Sequence, residues 1–178
     1  GWRVKGNKGD FLIPQAVNDF DSASFGRLGD ITVGANNYIY IYGVSSPMGL
    51  SFRLNKCTGY LNNFYKFDPP LPNNCPSVDR KEIASFSGNC QNLITSLGVC
   101  RIPADKDLNS PAVLNDSACR AYLDKLNYRG CYERNYAVSN FLSNEWRVWL
   151  SKNIPFDSEH DRLWLFDREG LLVDEYTY

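Results

Sequence analysis

Asp161-Arg-Leu-Trp-Leu-Phe-Asp-Arg-Glu-Gly-Leu-Leu-Val-Asp-Glu-Tyr-Thr-Tyr178 spells out a complete β-hairpin. Apolar residues fill 163–166 and 171–173. Between them, Asp167-Arg-Glu-Gly170 offers an Asp to open a type I turn and a Gly to close it at positive φ. Working outward, a second strand signal is Tyr38-Ile-Tyr-Ile-Tyr-Gly43, where tyrosine alternates with isoleucine at a period of two and one face of the strand is aromatic. Ser51-Phe-Arg-Leu-Asn55 continues that alternation, with Phe52 and Leu54 on one side and Arg53 and Asn55 on the other. Asp10–Pro14 and Leu28–Val33 read as further strands. The proline-rich run Phe67-Asp-Pro-Pro-Leu-Pro-Asn-Asn-Cys-Pro76 cannot be a central strand and closes the first β part.

From 77 to 150 the period shifts towards that of a helix. Helices are expected over 78–86, 89–97, 116–126 and 131–138, with Asn115 or Asp116 capping the third, and a further helical turn or two is expected to lead into Asn144-Glu-Trp-Arg-Val-Trp-Leu150. In that reading Trp146 and Trp149, three apart, share a face. The expected organisation is one domain over 1–178, with a β part at 1–67 and 155–178 and a cysteine-rich helical insertion at 77–150. A chain of 178 residues with 43% hydrophobic content is long enough for one sizeable core.

Six cysteines, Cys57, Cys75, Cys90, Cys100, Cys119 and Cys131, make an even set with no closely spaced pair. Zinc ligands come in close pairs because two donors must reach one ion from one turn, so disulfides are expected, and with them an extracellular or cell-surface location. If the second and third helices form an antiparallel hairpin, Cys100 faces Cys119, Cys90 faces Cys131, and Cys57 is left for Cys75; this is one of fifteen connectivities. No charged-then-apolar leader opens the chain, so an exported form is expected to have lost its signal already. A formal charge of -1 without a basic run argues against nucleic acid as a partner, and no apolar run is long enough for a transmembrane segment.

The closing hairpin resembles that of lamin-tail domains, immunoglobulin-like β-sandwiches of nuclear lamins and of secreted bacterial proteins. Gly43-Val-Ser-Ser-Pro-Met-Gly49, Phe52-Arg-Leu-Asn-Lys-Cys-Thr-Gly-Tyr-Leu61, Asn127-Tyr-Arg-Gly-Cys131 and Glu145-Trp-Arg-Val-Trp-Leu150 together are similar to a cysteine-containing secreted bacterial variant of that domain. The resemblance covers most of the chain. It implies a mainly β immunoglobulin-like sandwich carrying the helical segment, and a non-enzymatic structural or interaction role without a cofactor. Lamin-tail domains begin with a strand pair before a Gly-Trp step, whereas this sequence starts at Gly1-Trp2. Either the sequence is a processed piece of a longer chain or residues 2–25 rearrange to cover the edge this leaves, or a neighbour completes the open edge by strand addition, which would give a homo-oligomer or filament.

Candidate interface residues are Trp2, Phe11 and Ile13 in the opening segment and Tyr38, Tyr40 and Tyr42 on the tyrosine face. A carbohydrate or cell-envelope ligand stacked on exposed Tyr and Trp is the alternative, since aromatics make up 14% of the chain and rigid rings suit both roles. Catalysis is not expected. Ser158, Glu159, His160 and Asp161 gather titratable groups, but consecutive residues rarely converge on one reacting atom, and the run reads as a polar turn. Asn18, Asp19 and Asp21 carry oxygens, yet their spacing matches no calcium loop, and no metal is expected.

Overall fold

The computed structural model describes residues 1–178, the side chain of Ala112 apart. It is a mixed α/β structure with two sheets and three disulfides. The chain divides into two compact units. One comprises Gly1–Phe20, Phe25–Leu54 and Asn144–Tyr178; the other comprises Asp21–Ser24 and Asn55–Ser143.

The first unit carries both sheets. A four-stranded sheet has the order β2-β1-β8-β9, formed by β1 (Arg3–Lys5), β2 (Asp10–Leu12), β8 (Arg162–Phe166) and β9 (Leu172–Thr177), every pair antiparallel. The hairpin legible in the sequence is β8 and β9. Its turn closes as expected, with Gly170 at φ 84 donating its N–H to the Asp167 carbonyl at 3.2 Å. β9 is exposed on both faces, however, so Leu172 and Val173 lie on the surface.

A five-stranded sheet has the order β4-β3-β6-β7-β5, from β3 (Ala16–Val17), β4 (Leu28–Gly29), β5 (Tyr38–Tyr42), β6 (Phe52–Asn55) and β7 (Leu142–Trp149). The 28–33 segment contributes only two residues to it. β7 corrects the helical expectation for 144–150. Between β6 and β5 this run needs apolar groups on both faces, and alternation sends Trp146 and Val148 to one face and Trp149 to the other, all buried. Two tryptophans three apart fit a helix equally well in isolation. The neighbouring strands decide, because tertiary burial overrides a short-range period.

The second unit holds a 3-10 turn at Thr58–Asn63 and six short helices: α1 (Arg80–Ile83), α2 (Gly88–Ser96), α3 (Asp105–Leu108), α4 (Pro111–Leu114), α5 (Ser117–Leu123) and α6 (Tyr128–Asn135). Side-chain caps fix the starts of four of them. Asp79 accepts from the Lys81 N–H, Ser87 from Cys90, Asp116 from Cys119, and Asn127 from Gly130, each satisfying an orphan donor of a first turn. The Asn127 cap starts α6 three residues earlier than the expected 131. A core of Ile83, Ile94, Val113, Leu123 and Leu126 closes around Cys90 and Cys119.

The disulfides are Cys57–Cys131, Cys75–Cys100 and Cys90–Cys119, and no cysteine is free. The hairpin-based pairing of Cys100 with Cys119, Cys90 with Cys131 and Cys57 with Cys75 is thus corrected at all three bridges. Two short helices, α3 and α4, occupy what reads as loop between the second and third expected helices, and α2 and α5 meet at their capped first turns, which brings Cys90 to Cys119. The cysteine-bearing unit accordingly runs from Asn55, well before residue 77, to Ser143, two residues into β7. No helix among the described residues is long and apolar enough to cross a membrane.

Candidate interaction surface

Each sheet ends in edge strands, and the four edges differ in what they expose. β2 is three residues long and is soon followed by Pro14; β4 is two residues long. β9 is longer but centred on Asp174 and Glu175. β5 is five residues without a charge, and charged side chains are absent from the whole stretch 31–52 around it.

β5 runs parallel to β7 in the register Tyr38↔Glu145, Tyr40↔Arg147, Tyr42↔Trp149. The Leu150 N–H donates to the Tyr42 carbonyl at 2.9 Å, and the Ser151 N–H donates to that of Val44 at 3.2 Å. In a parallel pair every second residue turns both backbone groups to the neighbour. The tyrosines therefore hydrogen-bond β7, and the N–H and C=O groups of Ile39 and Ile41 point away from the sheet, along the open edge.

Side chains alternate the other way. Ile39 and Ile41 are half-buried on the face shared with Trp146 and Val148, while Tyr38 and Tyr40 are 59% and 47% exposed on the opposite face. This is the arrangement in which isoleucines turn inward and a tyrosine ladder remains accessible. Tyr42, at the end of the ladder, is half-buried and stacks on Trp149 with ring centroids 5.6 Å apart; burial pushes its hydroxyl pKa up.

Arg147 sits beneath the ladder, 7% exposed. Its guanidinium lies 4.8 Å from the Tyr40 ring centroid and 5.6 Å from that of Tyr42, donates to the Tyr42 hydroxyl, and pairs with the Glu145 carboxylate. A planar cation held between rings and a carboxylate fixes the tyrosines in place. Nothing in the local sequence marks Arg147 for this role; the signal is its parallel register with Tyr40.

The opening-segment candidates separate. Trp2 is exposed and Ile13 half-buried, and both line a cleft of about 400 Å³ together with Pro14, Ile31, Val33 and Ile39. Phe11 is not an interface residue: it is 4% exposed and packs against Phe156, ring centroids 5.5 Å apart. Its immediate neighbours, Asp10 and Leu12, take the outer face of β2, and Phe11 turns inward.

The polar turn at 157–161 is built as a brace. The Asp161 carboxylate, 2% exposed, accepts from the N–H groups of Asn7, Asp157 and Arg162, each at 2.8 Å. These bonds, that from Asn7 first, hold its pKa below the usual carboxylate range. Asp157 pairs with Lys8 at 2.5 Å and is held down at about 2. Every oxygen of Asp161 is thus committed to backbone, and His160 is exposed beside it. In the 18–21 loop Phe20 is buried, and the Asp21 carboxylate bonds Ala23 and Ser24. The ligand atoms of Cys90, Asp116 and Cys119 lie within 4.8 Å of one another, but both sulfurs are spent in a disulfide and the carboxylate caps α5.

Comparison of the chain with family models, with curated proteins and with solved structures found no match.

Proposed function

We propose that this chain is a non-enzymatic extracellular or cell-surface interaction module, an immunoglobulin-like β-sandwich of the lamin-tail type, that engages protein by strand addition at an open sheet edge. The observation that carries the reading is the β5 edge. Its outward Ile39 and Ile41 backbone groups lie on an uncharged strand without a proline, a bulge or a lysine, the devices by which edges are ordinarily blunted. Three disulfides among buried cysteines are compatible with an oxidising compartment.

Amide hydrogen exchange on the dilute monomer tests this reading. Ile39 and Ile41 exchange fast, and Tyr40 and Tyr42, bonded to β7, exchange slowly. Slow exchange at Ile39 and Ile41 in a monomer would mean the edge is already satisfied, and the reading fails. The exposed Tyr38 and Tyr40 rings also support a second reading, a carbohydrate or cell-envelope ligand stacked on the ladder. Saturable quenching of aromatic fluorescence by a cell-wall glycan, lost in Tyr40→Ala, distinguishes it.

A further inference from the structure

Resting on the strand-addition reading, we infer that the partner of β5 is a second copy of β5, joined antiparallel about a two-fold axis through Tyr40. Tyr38-Ile-Tyr-Ile-Tyr42 reads the same in both directions. Antiparallel pairing about that axis places Tyr38 opposite Tyr42 of the second copy, Ile39 opposite Ile41, and Tyr40 opposite itself. Each residue type meets its own kind, the self-complementarity an isologous interface requires.

The backbone fits the same axis. Antiparallel strands alternate between pairs that exchange two hydrogen bonds and pairs that exchange none. Ile39 and Ile41, whose N–H and C=O groups point outward, fall at the hydrogen-bonded positions, and Tyr40 falls at the non-bonded position on the axis. An axis between two residues would set outward groups against inward ones, and an axis through either isoleucine, though in phase, slips the register by two residues and leaves Ile41 opposite Asn37 or Ile39 opposite Gly43, outside the strand. The flanks agree as well, because residues 31–52 contain no charge to set against its own image. At Gly43 the backbone of Lys152 and Ile154 comes within 3.1 Å of where a Cβ would stand, so no side chain continues the tyrosine–isoleucine alternation past Tyr42.

The other edges do not pair with themselves in this way. A two-fold axis on β9 falls between Asp174 and Glu175 and sets carboxylates of the two copies against each other. β2 and β4 are too short. Joining β5 to β5 makes a continuous ten-stranded sheet from two five-stranded ones, with both tyrosine ladders on one face. One strand pair is small beside the ~1,600 Å² of a standard interface, so a weak dimer that dissociates on dilution is expected.

Sedimentation velocity of the native chain from about 1 μM to about 1 mM, together with two cysteine variants, tests the inference. Residues opposite each other at a non-bonded position have Cα atoms about 4.5 Å apart, within disulfide reach. Tyr40→Cys therefore forms an interchain disulfide on air oxidation. Tyr38→Cys does not, since its image lies four residues away along the strand, about 14 Å. Both positions are on the surface, and native-like circular dichroism of each variant confirms folding. A native chain that stays monomeric throughout overturns the inference. So does a dimer in which Tyr40→Cys fails to cross-link or Tyr38→Cys cross-links as well. The wider strand-addition reading is decided separately, by exchange at Ile39 and Ile41 in the monomer: fast exchange in a chain that never dimerises leaves that reading standing with a different partner.

Discussion

Removing the Cys57–Cys131 bridge with the pair Cys57→Ala and Cys131→Ala tests both the connectivity and its energetic role. The bridge closes a loop with a sequence separation of 74. Chain-entropy bookkeeping assigns a loop of that length about 4.4 kcal/mol of destabilisation of the unfolded state. The other two bridges are present, however, and they shorten the unfolded chain's route from 57 to 131 to about 40 residues, through the stretches 57–75, 90–100 and 119–131. The expected loss is then about 3.9 kcal/mol. The same arithmetic gives about 3.5 kcal/mol for Cys75–Cys100 and about 3.6 for Cys90–Cys119, whose direct loops remain the shortest routes. Urea unfolding without reductant measures the loss as a lower midpoint. The slope also steepens, because the freed unfolded chain exposes more surface. A thiol count on the denatured double variant gives zero if Cys75, Cys90, Cys100 and Cys119 pair as described. A cost below about 1 kcal/mol, or two reactive thiols, would refute the pairing.

Gly130→Ala lowers stability by about 1–3 kcal/mol, although alanine at a helical position ordinarily gains about 1, because its Cβ would lie 2.1 Å from the Lys125 carbonyl oxygen; a raised Tm would contradict the packing. Arg147→Met destabilises by about 2–4 kcal/mol in chemical denaturation, since it strips Glu145 of its cation in a poorly hydrated place, and an unchanged midpoint would show the pair to be idle. Asp157 and Asp161 have folded pKa values below their unfolded ones, so each contribution is in full force above the ordinary carboxylate pKa of ~3.9 and is lost as pH falls through the folded value, which for Asp157 is about 2. The Tm gap between the native chain and Asp161→Asn should narrow between pH 6 and pH 2; a constant gap would refute the role given to the carboxylate charge.

What could be read from the sequence was local. The 161–178 hairpin, the Tyr38–Tyr42 strand and the Asp116 cap are each dictated by residues within a few positions of one another, through alternation, turn chemistry or a side chain reaching an orphan N–H. β7 was harder to read, because Glu145 and Arg147 alternate with Trp146 and Val148 but Trp149 breaks the alternation by joining the charged face, and two tryptophans three apart mimic one face of a helix. The short strands β1 and β3 give equally little signal. The tyrosine ladder was legible as an aromatic face, but which face turned inward depended on Trp146 and Val148 across the sheet. Phe11 was misjudged for the same reason: its burial comes from Phe156, 145 positions away in sequence. Disulfide pairing is likewise a long-range property. One local hint did exist, since Cys90 and Cys119 each stand three residues after a capping side chain, Ser87 and Asp116, and so occupy equivalent places in their helices.

The three bridges are nested and interlocked: Cys57–Cys131 encloses the other two, and the spans 75–100 and 90–119 overlap. Any single peptide bond cut between Cys57 and Cys131 therefore leaves the two pieces covalently joined, and a cut between Cys90 and Cys100 is spanned by all three bridges. In any oxidising compartment that holds proteases, a nicked copy stays in one covalent piece and keeps both ends of its chain. Limited proteolysis within this region should leave a single band on a non-reducing gel that separates into fragments only when thiol is added.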